Sequence, residues 1–291
     1  MKEIIKDHLI KKLIHIFLLY LKKMPEGPEV KVITTELNQH LENSILKEFV
    51  VLGGRFIKTP IENIDTFQSN LPLKINSVNC KGKFIWFDLE NNWSIWNTLG
   101  MSGGWKQIKE KHSHIKITTD NLDLWFTDTR RFGTIKISNN PSELKKKLES
   151  IGPDMLSDSE FSETDFIKIM RKYNKKELPK ILMEQKIVSG IGNYIKAEAL
   201  YESKISPLRK IEDISDSELK TLFKSIRSII TKSYKCNGAT IKNYSDLANN
   251  LGEYCFNFKV YNQNKDVNGY NVLKTKTNDG RTTHWVSEIQ K

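Results

Sequence analysis

Near the start of the chain, residues 24–30 read Met24-Pro25-Glu26-Gly27-Pro28-Glu29-Val30. The fixed φ of Pro28 is typical of the first turn of a helix. From this point apolar residues recur at helical spacing: Val30, Ile33, Leu37 and Leu41. The stretch therefore predicts a helix that begins within the motif and buries one face against a core.

The same stretch offers a nucleophile if Met24 is the first translated residue and is removed. Pro25 then carries a free secondary amine, followed at once by the carboxylate of Glu26. An α-amine has an ordinary pKa of about 7.7–8.0, so part of it is neutral near pH 7. Its attack on an aldehyde-level carbon gives an iminium ion, and Glu26 can move protons in that reaction. The alternative is a plain surface turn, because Pro and Gly punctuate loops in any protein.

The composition indicates a polyanionic partner. The 291 residues include 46 basic and 35 acidic ones, a net charge of +11, and 38% are hydrophobic. This length is enough for two domains with cores, and the positive balance favours nucleic acid or an acidic membrane surface. Cys80, Cys236 and Cys255 form no CxxC pair, which fits free thiols in a reducing, intracellular compartment.

Residues 1–23 differ from the rest of the chain. They carry six lysines against Glu3 and Asp7, and their apolar run at 14–21 is shorter than the roughly 20 residues that span a bilayer. One interpretation is a basic amphipathic helix or an organellar address. We favour a leader that is not part of the working protein, because an attached segment would acylate the Pro25 nitrogen and remove its nucleophilicity.

The fold class predicted for the chain is α+β. After the first helix, short runs rich in β-branched and aromatic residues occur at 45–52, 75–79, 84–89, 93–99, 115–118, 122–128 and 134–137. They predict a two-layer antiparallel β-sandwich. Helical patterns follow at 160–172, 176–186, 194–203 and 216–235, and strand patterns at 254–261 and 282–286 predict a C-terminal hairpin.

These patterns divide the chain into five parts. We expect the leader at 1–23, a β-sandwich domain with the N-terminal helix at 24–140, and a linker at 141–155. A mainly α domain follows at 156–252 and a hairpin at 253–291.

Five further stretches have the chemistry of nucleic-acid contacts. Ser189-Gly190-Ile191-Gly192-Asn193 opens a predicted helix, and N–H groups at such a terminus favour phosphate. Lys81-Gly82-Lys83 lies between two strands, and Gly280-Arg281 at a turn offers a bidentate phosphate ligand. Met101 lies on a glycine-flanked loop, and Arg130 and Phe132 lie on another; such side chains can fill the hole left by an extruded base. The alternatives are a plain helical hairpin for the glycine-rich turn, exposed charge for the lysines and Arg281, and ordinary core packing for Met101 and Phe132.

Together these pieces resemble the formamidopyrimidine-DNA glycosylase/endonuclease VIII family. The resemblance runs in order over nearly all of 24–291, through Met24-Pro25-Glu26-Gly27-Pro28-Glu29-Val30, Leu99-Gly100-Met101-Ser102-Gly103, Arg130-Arg131-Phe132-Gly133, Ile151-Gly152-Pro153-Asp154, Gly190-Ile191-Gly192-Asn193 and the final hairpin. It implies that the helical domain contains a helix–two-turn–helix motif.

The resemblance also implies a role for each site residue. Pro25 is the Schiff-base nucleophile and Glu26 the general acid/base, and Lys83 and Arg281 complete the catalytic site by binding phosphates beside the lesion. The implied DNA-binding residues are Asn193, Gly192 and Lys180, together with Met101, Arg130 and Phe132, which fill the void.

The chain departs from most relatives at its C-terminus. Those relatives carry a four-cysteine zinc finger, whereas residues 268–289 contain no cysteine here, and zinc sites of that kind need thiolates. We therefore expect a zincless finger, a hairpin held by packing alone, and no metal or other cofactor.

The implied function is a bifunctional DNA glycosylase and AP lyase that nicks DNA by β,δ-elimination. Its partner is damaged double-stranded DNA, it acts as a monomer, and it is found wherever the genome is. Oxidised pyrimidines are the favoured lesions, ring-opened or further-oxidised purines are also expected, and we place the pocket loop within 240–253. The alternatives are a non-catalytic damaged-DNA or RNA binding module, and a membrane-peripheral protein docking through 1–23.

Overall fold

The structure, a computed structural model, describes residues 25–239 and 258–291. The leader at 1–23, the loop expected within 240–253 and the third cysteine, Cys255, lie outside the described residues. Cys80 and Cys236 are free thiols.

The first helix, α1 (Gly27–Leu41), forms as the apolar spacing predicts. Its stripe residues Val30, Ile33, Leu37 and Leu41 are all buried. Two short helices that the sequence did not reveal follow β1, namely α2 (Arg55–Lys58) and α3 (Ile64–Ser69).

Eight strands form one antiparallel sheet in the order β5-β7-β6-β1-β2-β3-β4-β8. Their bounds are β1 Ile45–Val51, β2 Leu73–Lys81, β3 Phe84–Leu89, β4 Ser94–Thr98, β5 Gly103–Lys106, β6 Ser113–Thr119, β7 Asp123–Asp128 and β8 Thr134–Ser138. Strand β5 is an addition to the prediction, because its two glycines look like a loop signal.

The sheet folds over so that its two halves pack face to face. Its midpoint is the short β1–β2 pairing. Trp105 of β5 lies 5.4 Å, ring to ring, from Phe87 of β3 in the other half, and its Nε1–H donates to Asn97 Oδ1 at 3.1 Å. The predicted two-layer antiparallel sandwich is confirmed.

The second half of the chain is helical. It contains α4 (Pro141–Glu149), α5 (Glu163–Arg171), α6 (Leu178–Met183), α7 (Asn193–Glu202) and α8 (Asp216–Lys235), with a 3₁₀ turn at Ile211–Asp213. The predicted helices are thus present with shifted ends. Helix α7 is buried almost throughout, and it packs on α8 and on the C-terminal hairpin.

The C-terminal hairpin is present, but one predicted strand was wrong. The hairpin pairs β9 (Leu273–Lys276) with β10 (Thr282–Trp285), whereas residues 258–261 are not a strand and 254–257 lie outside the described residues. The N–H groups of Lys259, Val260 and Tyr261 donate to the Glu198 carboxylate at 2.7–3.0 Å. Those donors are therefore satisfied by a side chain rather than by a neighbouring strand.

Residues 25–239 and 258–291 include neither a candidate membrane span nor a candidate metal site. There, none of the helices combines the length and the apolar character of a membrane span. The same residues contain no group of three or more His, Cys, Asp or Glu placed to hold a metal ion.

Trp105 tests the packing of the two layers. Trp105→Ala removes a fully buried side chain and takes away the donor to Asn97 Oδ1, so we expect the free energy of unfolding to fall by about 3–5 kcal/mol. Urea unfolding followed by circular dichroism measures it. Ile108→Ala, at a side chain that is 65% exposed, should change it by less than about 0.5 kcal/mol. Equal losses in the two variants would contradict the packing described.

Candidate active site

Glu26 joins the two halves of the molecule. It precedes α1, where its N–H donates to Glu29 Oε2 at 2.8 Å. Its own carboxylate accepts hydrogen bonds from the N–H of Tyr194 at 2.9 Å and of Ile195 at 3.2 Å, in the first turn of α7. The side chain is buried. A residue of the N-terminal domain thus caps a helix of the second domain.

The surroundings of Glu26 give it an unusual acidity. Burial raises the pKa of its carboxyl to about 7, and the nearby Glu29 carboxylate raises it as well. The Lys83 ammonium and the N–H groups of Tyr194 and Ile195 act in the opposite direction. Near pH 7 the protonated and ionised forms are both populated, which is the condition that suits a general acid or base.

Glycines allow the close approach on which this site depends. A Cβ at Gly192 would overlap the Cδ and Oε1 atoms of Glu26. Gly27 donates its N–H to Gly190 O at 2.8 Å, and a Cβ at Gly27 would lie 2.9 Å from the Gly190 Cα. Gly190 itself has a φ of +88°, which only glycine adopts readily.

Lys83 lies in the two-residue turn between β2 and β3 and is half-buried. Gly82, with a φ of +58°, donates its N–H to Asp154 Oδ2 at 2.8 Å. Burial lowers the pKa of the Lys83 ammonium, the Glu26 carboxylate raises it, and the Arg281 guanidinium lowers it. Lys83, Glu26 and Arg281 therefore form one electrostatic cluster.

Asn193 and Arg281 lie on two neighbouring elements, α7 and the C-terminal hairpin. Asn193 is the first residue of α7, and its Nδ2 donates to Thr282 O at 2.9 Å, while its buried Oδ1 has no hydrogen-bond partner among the described residues. Arg281 is half-buried on the turn between β9 and β10. Pro25 is buried immediately before Glu26.

The three residues expected to fill a void lie together on two adjoining loops. The Arg130 guanidinium lies 5.0 Å from the Phe132 ring, and Phe132 is 53% exposed. The loop of the half-buried Met101 touches that of Phe132, since a Cβ at Gly100 would lie 2.7 Å from the Phe132 carbonyl carbon. An exposed aromatic ring beside a cation is free to enter a base stack.

Asp128 holds these loops, and sequence reasoning gave it no role. Its Oδ1 accepts from Ser102 Oγ at 2.5 Å and from Arg130 N–H at 3.2 Å, and its Oδ2 accepts from Gly133 N–H at 2.7 Å. The only sequence feature that marks Asp128 is its place at the start of a short polar loop. By contrast, the predicted Lys180 is exposed on α6, and no contact to the Glu26 cluster is found within the described residues.

Comparison with known proteins follows the same division of the chain. The family model for the formamidopyrimidine-DNA glycosylase N-terminal domain matches residues 24–135, and that for the formamidopyrimidine-DNA glycosylase H2TH domain matches 151–245. A formamidopyrimidine-DNA glycosylase of Listeria monocytogenes is 32% identical over 279 residues, which cover 92% of this chain and 100% of that relative. The chain belongs to the formamidopyrimidine-DNA glycosylase family.

Solved structures of this family share the fold. A Lactococcus lactis FPG variant, in complex with DNA containing Fapy-dG, superposes with a TM-score of 0.82 at 26% identity, covering 92% of this chain and 100% of that one. The MutM (FPG) protein of Thermus thermophilus has the same TM-score at 24% identity, over 91% and 98% of the two chains.

Gly192 tests the close approach to Glu26. We expect Gly192→Ala to lower the free energy of unfolding by about 1–3 kcal/mol, as overpacking does, because the new Cβ displaces the carboxylate. Glu26→Ala vacates that space, so the penalty should disappear in the double variant. Gly104→Ala, with no atom within 4 Å of its Cβ, serves as the control. Urea unfolding measures the free energy of unfolding of the two single variants, the double variant and the Gly104→Ala control. If the losses of Gly192→Ala and Glu26→Ala simply add in the double variant, the overlap is contradicted.

Proposed function

We propose that this protein is a base-excision DNA glycosylase with AP lyase activity. The observation that carries the proposal is the buried Glu26 carboxyl, with a pKa of about 7. It follows Pro25 directly and interacts with the Lys83 ammonium, which in turn interacts with Arg281. Membership of the family supports glycosylase activity. The lyase step and its residues are inferred from the chemistry of the site.

Damaged duplex DNA is the proposed partner. The net charge of +11 favours a polyanion, and relatives of this fold have been crystallised with DNA containing Fapy-dG or an AP site. Lys83, Asn193 and Arg281 are the proposed phosphate ligands beside the lesion. The damaged base is rotated out of the stack, and Met101, Arg130 and Phe132 take its place.

The proposed chemistry uses only groups of this chain. The neutral Pro25 nitrogen forms a bond to C1′ while the bond from C1′ to the base breaks, and the base leaves with the proton that the attacking secondary amine gives up. Protonated Glu26 donates to the ring oxygen, O4′, so that the sugar opens to an iminium ion. The iminium makes the C2′ proton acidic, and the Glu26 carboxylate, now ionised, accepts it. Loss of this proton expels the 3′ phosphate by β-elimination, and δ-elimination then expels the 5′ phosphate.

This mechanism requires a free Pro25 nitrogen, because an amide nitrogen is not nucleophilic. The match to the N-terminal family model begins at residue 24, which supports a working protein without residues 1–23. A chain that keeps them would be a damaged-DNA or RNA binding module, since phosphate contacts alone give affinity.

Oxidised pyrimidines, and ring-opened or further-oxidised purines, are the proposed lesions. Excision rates from duplexes with one 5-hydroxyuracil, one Fapy-dG or one undamaged base measure this preference. Equal rates on damaged and undamaged bases would contradict it.

Borohydride trapping on a duplex with one abasic site tests the mechanism. We expect protein that begins at Pro25 to give a reduced adduct, located at its N-terminal residue by mass spectrometry, and the 1–291 chain to give none. Glu26→Gln should slow adduct formation by about 10²-fold or more, the usual contribution of acid-base catalysis.

Sodium chloride in place of borohydride is the control for reduction, and binding of each protein to the same duplex is measured in parallel. No adduct from a trimmed protein that binds tightly, or an adduct on a lysine, would contradict the proline mechanism.

A further inference from the structure

The turn that carries Arg281 is tied to helix α7 by a buried ion pair. Lys196 Nζ lies 2.5 Å from Asp279 Oδ2, and the two side chains are 0% and 2% exposed. Residues 258–291 contain no cysteine, so this turn is held without zinc thiolates. Burying two full charges in this way costs free energy unless both groups are well paired and hydrogen-bonded. This cost indicates that the pair has a specific structural role.

The second oxygen of Asp279 organises the turn itself. Oδ1 accepts from Thr277 Oγ1 at 2.5 Å and from the N–H of Arg281 at 3.2 Å. Within the same turn, the N–H of Gly280 donates to Thr277 O, and the N–H of Thr277 donates to Arg281 O. One carboxylate thus fixes the Arg281 backbone with one oxygen and binds helix α7 with the other.

Helix α7 is the element that also holds Glu26. Lys196 is one turn after Asn193, whose side chain reaches Thr282 O beyond Arg281, and residues 194 and 195 bind the Glu26 carboxylate. The first turn of α7 therefore sets the position of both Glu26 and the Arg281 turn. The Lys196 ammonium also interacts electrostatically with Glu26 and with Arg281.

We propose that Lys196 and Asp279 are positioning residues, which hold the Arg281 guanidinium in register with Glu26 so that it binds a phosphate of the damaged strand. The inference rests on the proposed function for its DNA ligand. Lys196 is completely buried and cannot reach a phosphate itself, so any effect of its removal on DNA binding must pass through other groups.

The test measures binding to a duplex that contains tetrahydrofuran, an abasic-site analogue that the enzyme cannot cleave at C1′. Three variants break the ion pair: Lys196→Met, Asp279→Asn and the double variant Lys196→Met/Asp279→Asn, which leaves no unpaired charge. Each is measured alone and in combination with Arg281→Ala. Thermal unfolding confirms that each variant is folded. Lys259→Met is the matched control, because it breaks an ion pair with Glu202 at the other end of α7.

We expect Arg281→Ala to weaken binding about tenfold or more, the value of a charge-assisted contact. It should also make the negative slope of log K, the association constant, against log salt concentration less steep by about 0.9, the contribution of one phosphate contact. Lys196→Met and the double variant should reproduce both changes and add nothing in the Arg281→Ala background. A loss of stability alone would leave the salt slope unchanged. Lys259→Met should keep the slope of the unmodified protein.

Two results would overturn the inference, and they differ in their bearing on the proposed function. In the first, Arg281→Ala weakens binding, but the folded Lys196 and Asp279 variants either bind as the unmodified protein does or lose affinity in addition to the loss from Arg281→Ala. The ion pair then does not act through Arg281. If Arg281→Ala itself changes neither affinity nor slope, the phosphate role of Arg281 in the proposed function fails as well.

Discussion

The carboxylate of Glu26 accepting two N–H groups at the start of helix α7 is the interaction on which the site depends. It fills a helix terminus whose donors need partners, and it does so across the boundary between the sandwich and the helical domain. Burial there raises the pKa of the carboxyl to about 7. The same contact thus holds the two domains together and keeps the carboxyl buried, while its two N–H donors partly oppose the effect of burial on the pKa.

The close packing of the Glu26 carboxylate against α7 constrains the residues around it. Gly192 leaves room for the Glu26 side chain, and Gly27 lies against the backbone of Gly190. The Lys83 ammonium interacts favourably with this buried acid and unfavourably with the Arg281 guanidinium, so the repulsion at Lys83 is partly offset within the site. Helix α7 joins the Glu26 contact to the C-terminal hairpin through Asn193 and Lys196.

The sequence predicted those elements in which one regular pattern decides the structure. The apolar stripe of α1 has a clear helical period, and Lys81-Gly82-Lys83 lies between two strands as expected. Strand β9 has almost no buried side chains and so lacks the alternation that marks a strand. Neither Lys196 nor Asp128 was found, because a charged residue is usually exposed and its burial depends on a partner distant in the sequence.

A site-resolved titration of Glu26 tests the central claim most directly. The 1–291 chain is labelled with ¹³C at the side-chain carboxyl of glutamate, and the Glu26 resonance is assigned by its absence in Glu26→Gln. Carbon NMR then follows its chemical shift with pH. A midpoint near the value of about 7 is expected for a carboxyl buried against α7, whereas a midpoint near the ordinary value of about 4.3 would show that Glu26 is solvated and would contradict the proposed site.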